Sequence, residues 1–184
     1  MTTTPHPATR TAALAAFALL PVLALTACSS SGEERSIGQS ASVEVAKGHH
    51  VDVTVLALEA GTAADLAQLK DSSQYAGRTP YYLRYSYIKT QDEKVRWTGD
   101  FEVHGDDGPL TQLDVLPSLD STGNPDDPFD VRTFEKCESG TDFDKVPKGG
   151  TVEGCDIFLT DTGGGTPKDV KWVDDSDKTL VTWK

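Results

Sequence analysis

The sequence of 184 residues has few of the residue types that mark catalytic and metal-binding proteins, with only three cysteines and four histidines. It contains no Gly-x-Ser-x-Gly nucleophile elbow, and the glycine run at 163–165 lacks the lysine of a phosphate-binding loop. His49 and His50 are neighbours on a predicted strand, so their side chains point to opposite faces and do not favour a shared zinc ion. We therefore expect neither an enzyme nor a cofactor.

Positive charge is also scarce. The chain has 17 lysines and arginines against 29 aspartates and glutamates, a formal net charge of −12, and the basic residues form no cluster. This balance excludes nucleic acid as a partner, because binding to phosphates requires concentrated positive charge. It also argues against electrostatic docking on anionic lipid.

One long apolar run is present, at residues 11–25, close to the start of the sequence. It is too short for a membrane-spanning helix and is typical of a secretory signal. It ends in Leu25-Thr26-Ala27-Cys28, which resembles the bacterial lipobox, an aliphatic residue and two small residues before a cysteine. The resemblance implies that a diacylglycerol joins the sulfur of Cys28 and that residues 1–27 are removed. An ordinary secretory signal with an unmodified Cys28 is the alternative.

Residues 28–41 are predicted to be the lipidated cysteine and a flexible tether, because Ser29–Ala41 is rich in small, polar and charged residues. Two or three acyl chains hold a protein firmly, since each buried methylene contributes about 0.8 kcal/mol. The predicted location is therefore the extracytoplasmic face of the cell membrane, and the membrane is a partner through the lipid anchor.

Two cysteines, Cys137 and Cys155, remain after Cys28 is assigned to the anchor. An even pair in an exported chain predicts a disulfide, because the compartment is oxidising. Two free thiols are the alternative. The chain between them contains turn residues that allow two strands to come together.

Residues 42–184 are predicted to form one domain, because most of this part alternates apolar and polar residues at period two. In the clearest strand, residues 81–89, one face carries Tyr81, Leu83, Tyr85 and Tyr87, and the other face carries Tyr82. A short helix of about two turns is expected after Thr62, with Asp65 completing a capping box. Further strands are predicted at 42–45, 50–58, 97–104, 110–116, 131–137, 151–159, 170–173 and 179–183.

About seven to nine short strands with one minor helix indicate an all-β fold, an immunoglobulin-like β-sandwich. A small barrel is the alternative. The two cysteines lie too close in sequence for the pairing found in antibody domains.

Acidic side chains are concentrated between residues 117 and 130, which are predicted to be a loop. Calcium prefers such oxygen ligands, but the spacing matches no EF-hand and two prolines stiffen the segment. A solvated acidic loop is the favoured interpretation. The calcium alternative would use Asp120, Asn124, Asp126, Asp127 and Asp130. Glu153 and Asp156 on one predicted strand are a further candidate, as paired carboxylates for glycoside chemistry.

Several segments together resemble a group of actinobacterial exported lipoproteins. They are the lipobox, GTAADLAQL, TPYYLRYSYIKTQDE, FEKC followed by PKGGTVEGCDIFL, and the closing WVDD and LVTW. The resemblance implies an immunoglobulin-like domain, mostly of unassigned function, and brings no catalytic residue with it. We expect a non-catalytic binding or interaction domain for an unknown protein or envelope ligand. A cell-envelope enzyme or calcium-dependent factor that uses acidic loops is the alternative.

Overall fold

Strands and turns make up most of the part of the chain that the structure describes. The computed structural model describes residues 32–67, 69, 72–92, 98–115, 118–124, 127–132, 134–138 and 143–184. The strands are β1 (Glu33–Arg35), β2 (Ser40–Ala46), β3 (His49–Ala60), β4 (Pro80–Lys89), β5 (Gly99–Gly105), β6 (Gly108–Pro109), β7 (Thr111–Leu113), β8 (Ser118–Asn124), β9 (Asp127–Arg132), β10 (Thr151–Leu159), β11 (Asp169–Asp174) and β12 (Thr179–Trp183). The helix α1 spans Ala63–Leu66, and 3₁₀ turns lie at Ser72–Tyr75 and Phe143–Lys145.

Two five-stranded sheets and one hairpin contain these strands. Sheet A has the order β1-β12-β11-β5-β6, sheet B has the order β2-β3-β4-β10-β7, and β8 pairs with β9. The run β3-β4-β10-β7 opposite β12-β11-β5 is the A-B-E-D and G-F-C arrangement of an immunoglobulin domain. The predicted all-β, immunoglobulin-like sandwich with a short helix is confirmed.

The main core lies between the two sheets, because alternate residues of each strand point inward. Sheet B contributes valines from β2 and β3 together with Leu83, and sheet A contributes Phe101, Trp172 and Trp183. The ring of Phe101 lies 5.0 Å from that of Trp172 and 4.8 Å from that of Tyr85, measured between centroids. This aromatic contact joins the two sheets across the core.

A β-bulge in β3 explains the exposed leucine of that strand. The register between β3 and β4 shifts between Val55 and Ala57, so Leu56 is the extra residue and is 41% exposed. The bulge returns Leu58 to the inward face, where it packs against the main core.

A second apolar group covers part of the outer face of sheet B; we call it the outer cluster. It consists of Leu66, Tyr82, Phe134, Cys137, Cys155, Ile157 and Leu159. Tyr82 therefore lies on the face opposite Leu83, as the alternation predicts, and is nevertheless 4% exposed. Helix α1 supplies Leu66 to this cover. It has a single turn rather than the two predicted, and the Asp65 carboxylate accepts the backbone N–H of Thr62 at 2.8 Å.

The predicted boundary between tether and domain at residues 41 and 42 is wrong. Residues Glu33–Arg35 form β1, which pairs in parallel with β12, and β2 already begins at Ser40. The polar composition of this segment is compatible with edge strands, whose outer side chains face water. The folded domain therefore begins about nine residues earlier than the composition suggests.

The prediction of a loop over residues 117–130 is also wrong. Ser118–Asn124 and Asp127–Arg132 form the antiparallel hairpin β8–β9. The strand predicted over 131–137 ends instead at Arg132, and Phe134–Cys137 is a turn in which the Cys137 N–H donates to the Phe134 carbonyl at 3.0 Å. The tendency of a residue type to form strands depends strongly on its surroundings. The turn-forming residues in these two neighbouring segments therefore do not prevent the segments from pairing as a hairpin.

In the described part of the chain, no helix is long and apolar enough to span a membrane.

Candidate functional site

The cysteine predicted to carry lipid, Cys28, lies outside the described residues, as does Asp126 of the acidic segment. The other predicted site residues lie within the described ranges. Five groups of described residues could carry chemistry. They are the cysteine pair, the acidic hairpin β8–β9, the carboxylates of β10, the charged side chains around His104 on sheet A, and the loops at one end of the sandwich.

A disulfide joins Cys137 to Cys155, with their Cα atoms 5.2 Å apart. Cys155 lies on the outer face of β10, and Cys137 lies in the turn that follows β9. Arg84 of β4 donates to the Lys136 carbonyl at 3.1 Å beside this turn. The disulfide thus fastens the turn at 134–137 to sheet B and holds the outer cluster in place.

The acidic hairpin brings the backbones of several predicted calcium ligands together in pairs. Asp120 is opposite Asp130, and Asn124 is opposite Asp127. The calcium interpretation depended on a loop, whereas the backbone here forms two paired strands. Among the residues whose placement is described, no group of three or more histidine, cysteine, aspartate or glutamate residues is arranged to hold a metal ion.

Glu153 and Asp156 lie on opposite faces of β10 and do not form the carboxylate pair that the sequence suggests. Glu153 is exposed on the outer face, and Asp156 is partly buried on the inner face. The hydroxyl of Tyr85 donates to the Asp156 carboxylate at 3.2 Å. Gly154 makes this contact possible, because a Cβ at that position would collide with the Tyr85 ring.

The Asp156 carboxyl is a weaker acid than an ordinary aspartate, because its pKa is raised. Burial, with the negative charges of Asp100 and Asp114 nearby, raises its pKa from 3.8 to about 6, although the Tyr85 hydrogen bond acts in the opposite direction. Burial and the charge of Asp156 raise the pKa of Tyr85, which therefore remains protonated and able to donate. The pair can take up one proton near neutral pH at the edge of the main core.

We expect Asp156→Asn to stabilise the protein at pH 8 and to have little effect at pH 4. A carboxyl whose pKa is higher in the folded state favours folding when protonated, so the wild type loses stability as pH rises from about 4 to about 7. The rise from 3.8 to about 6 corresponds to about 3 kcal/mol, and partial exposure reduces this to about 1–2 kcal/mol. Asparagine keeps an oxygen that accepts from Tyr85. Melting curves across this pH range measure the difference.

Glu153→Gln on the same strand is the matched control, because Glu153 is exposed. Its melting temperature should follow that of the wild type at every pH. If the melting temperatures of the wild type and Asp156→Asn changed with pH in the same way, ionisation of Asp156 would cost little folding free energy and the prediction would be wrong.

The outer face of sheet A carries a row of charged and polar side chains around His104. The His104 Nε2 atom lies 2.8 Å from the Glu102 carboxylate, and its Nδ1 atom lies 3.3 Å from Lys171 Nζ. Lys171 also lies 3.9 Å from the Asp169 carboxylate. Both ring nitrogens of His104 are therefore engaged by neighbours in the sheet, which suits a structural role.

Loops at one end of the sandwich are held together by Arg78. Its Nε donates to the Thr160 carbonyl at 2.8 Å, and one terminal nitrogen donates to Thr111 Oγ1 at 3.0 Å and lies 3.3 Å from the Asp161 carboxylate. Beside it, the Thr160 N–H donates to the Thr79 carbonyl at 3.1 Å, and the Thr79 N–H donates to Thr160 Oγ1 at 3.0 Å. A guanidinium with partners on separate segments makes this end a fixed surface.

Sequence reasoning missed both Arg78 and the contact between Tyr85 and Asp156. The composition around Arg78 predicts an ordinary loop, and nothing in its neighbours indicates partners more than 30 residues away. The alternation of β4 does predict the inward position of Tyr85, and Gly154 inside a strand is a signal that another group approaches closely.

Comparison with known proteins adds one structural likeness. The chain matches no family model and no curated protein sequence. The secreted protein MPT63 of Mycobacterium tuberculosis has a similar structure, with a TM-score of 0.49 and 15% sequence identity over 85% of this chain and 99% of that chain. The functional interpretation therefore depends on the residues of the chain itself.

Proposed function

We propose that the protein is a non-catalytic binding domain held on the extracytoplasmic face of the cell membrane by a lipid on Cys28. The observation that carries the proposal is that two of the three cysteines pair with each other, which leaves Cys28 as the third. Cys137 and Cys155 are joined in a disulfide, which suits an oxidising compartment. The third cysteine, Cys28, follows an apolar leader and ends a lipobox-like sequence.

Binding rather than catalysis is supported by how the candidate chemical groups are used. Glu153 and Asp156 face opposite sides of β10, and His104 is held between Glu102 and Lys171. Surface loops of a rigid sandwich are a common place for a binding site. The loops fixed by Arg78 provide such a surface.

We expect the wild-type protein expressed in an actinobacterium to enter the detergent phase on Triton X-114 partition, and Cys28→Ala to enter the aqueous phase or remain uncleaved. Acyl chains supply the apolar surface that detergent extracts. Mass spectrometry of the mature N-terminus provides the direct measurement. Ser29→Ala is the control and should behave as the wild type. A mature protein that begins at another residue and carries no acyl mass would contradict the anchor.

The binding half of the proposal is tested by a thermal-shift screen with sugars, peptidoglycan fragments, calcium and zinc. A ligand selective for the folded state raises the melting temperature in a saturable way. The proposal expects a shift without chemical change in the ligand. Turnover of any of these probes, detected by mass spectrometry, would favour an envelope enzyme instead.

A further inference from the structure

The first strand fixes where the chain enters the domain. In the parallel pair of β1 and β12, Glu33 is opposite Val181 and Arg35 is opposite Trp183. Gly32, just before β1, lies so close to the backbone of Leu180 that an added Cβ would collide with its carbonyl group. The chain therefore enters beside the start of β12, next to the turn that joins β11 to β12.

Several turns lie at this same end of the sandwich, which we call the entry end. The Thr98 N–H, just before β5, donates to the Val45 carbonyl at 2.8 Å, and β5 begins opposite Asp174. The Gly149 N–H donates to the Lys89 carbonyl at 2.7 Å. The entry end thus consists of residues 47–48, 90–92, 143–149 and 174–178.

The opposite end, which we call the far end, contains the loops that Arg78 fixes. Strand β3 begins at the entry end with His49 and reaches the far end at Ala60. Its 12 residues correspond to a length of about 40 Å. The far end consists of residues 61–67, 72–79, 106–107 and 160–168.

Five peptide units separate Cys28 from Glu33, and even when fully extended they span at most about 18 Å. This reach is less than half the length of β3. A lipid on Cys28 can therefore hold the entry end at the membrane, whereas the far end lies beyond the reach of this segment.

We infer that the entry end of the sandwich faces the lipid headgroups and that the far end is presented to the cell exterior. This inference rests on the lipid anchor at Cys28 proposed above. In this orientation, the surface that the entry end contacts is the membrane. The far end remains the place where an envelope partner has free access to the domain.

The inferred orientation differs from the use of this fold in antibody variable domains, where the B–C and F–G loops bind antigen. Here the described parts of the corresponding connections, residues 90–92 and 98 between β4 and β5 and residues 175–178 between β11 and β12, lie at the entry end. Their position against the membrane leaves the connections β3 to β4 and β10 to β11, at the far end, as the accessible loops.

Covalent reach, rather than charge, sets this orientation. The entry end carries exposed lysines at 47, 145, 148 and 178 together with exposed aspartates at 92, 144, 175 and 177. Mixed charge of this kind gives little net attraction to anionic lipid. The orientation should therefore be the same on vesicles of phosphatidylcholine alone and on vesicles that contain phosphatidylglycerol.

Energy transfer to the lipid surface tests the inference. The acylated mature protein, which begins at Cys28, is reconstituted into phosphatidylcholine vesicles that contain a headgroup-labelled acceptor lipid. A donor dye is placed at the entry end through Asp175→Cys or at the far end through Thr166→Cys, both exposed positions. The new thiol is the free one, since Cys28 is acylated and the other two cysteines are paired.

Transfer from position 175 should exceed transfer from position 166 at least about threefold, because the two ends are separated by most of the length of a strand. A flexible spacer of about ten Gly and Ser residues inserted between Ser31 and Gly32 should bring the two efficiencies close together. Both dye variants should melt as the wild type does.

Equal transfer from the two positions in acylated, vesicle-bound protein would overturn the orientation and leave the anchor intact. A mature chain without acyl mass that does not sediment with vesicles would overturn the anchor, and the orientation with it. These two failures are distinguished by the mass spectrum and the sedimentation measurement.

Discussion

Trp183→Ala should lower the free energy of unfolding by about 3–5 kcal/mol, the usual cost of removing a large buried aromatic side chain. Trp183 is fully buried, and its ring centroid lies 6.2 Å from that of Phe101. Its indole Nε1 donates to the Gln39 carbonyl at 2.9 Å, so the substitution also removes the partner of that carbonyl. The melting temperature should fall by about 6–20 °C, as measured by circular dichroism at neutral pH.

Two further variants separate packing from hydrogen bonding at this position. Trp183→Phe retains much of the apolar contact and loses the donor, so it should cost about 1–2 kcal/mol. Lys178→Ala, just before the same strand, is exposed and should change stability by less than about 0.5 kcal/mol. If Trp183→Ala melted within a degree or two of the wild type, Trp183 would not be part of the main core.

Replacing both Cys137 and Cys155 with alanine should cost about 3 kcal/mol, because their bond closes a loop of 18 residues. The segment that this bond fastens also supplies Phe134 to the outer cluster, so that cluster should loosen. A fall of about 6–12 °C in melting temperature is expected. Localisation should not change, since Cys28 is untouched.

A reductant provides the matched control for the cysteine variant. It should lower the melting temperature of the wild type toward that of the double variant and leave the double variant itself unchanged. Thiol counting on unfolded, unreduced mature protein should find no reactive thiol if Cys28 is acylated. Two reactive thiols in that experiment would refute the pairing of Cys137 with Cys155.

The sandwich is predictable from the sequence because its strands bury one face each. Period-two alternation identifies the inward side of β3, and the tyrosines on one face of β4 indicate that this face lies toward the core. The strand at Thr151–Leu159 and the closing hairpin of β11 and β12 have the predicted positions. In each case, local pattern and tertiary burial agree.

Features that depend on distant partners could not be predicted from local pattern. The three residues of β1 are all charged, and such side chains are compatible with a solvated tether as well as with the edge of a sheet. Their partner β12 lies about 150 residues later in the sequence, so no local pattern indicates the pairing. The outer cluster buries Tyr82 because helix α1 and the turn at 134–137 cover it from elsewhere in the sequence. Arg78 is the same case for polar contacts, since its partners lie on separate segments.

The parallel pairing of β1 with β12 has a mechanical consequence for an anchored domain. If the proposed lipid on Cys28 and a partner at the far end were pulled apart, the tension would act along the axis of β1. Hydrogen bonds between strands lie across that axis, so the ladder is loaded in shear, with its bonds sharing the force. The Lys184 N–H donates to the Arg35 carbonyl and the Ile37 N–H donates to the Lys184 carbonyl, so the bonding continues one residue past the end of β12. An antiparallel first strand would begin at the far end, so the same pull toward the membrane would act on its far-end terminus and peel it away one bond at a time.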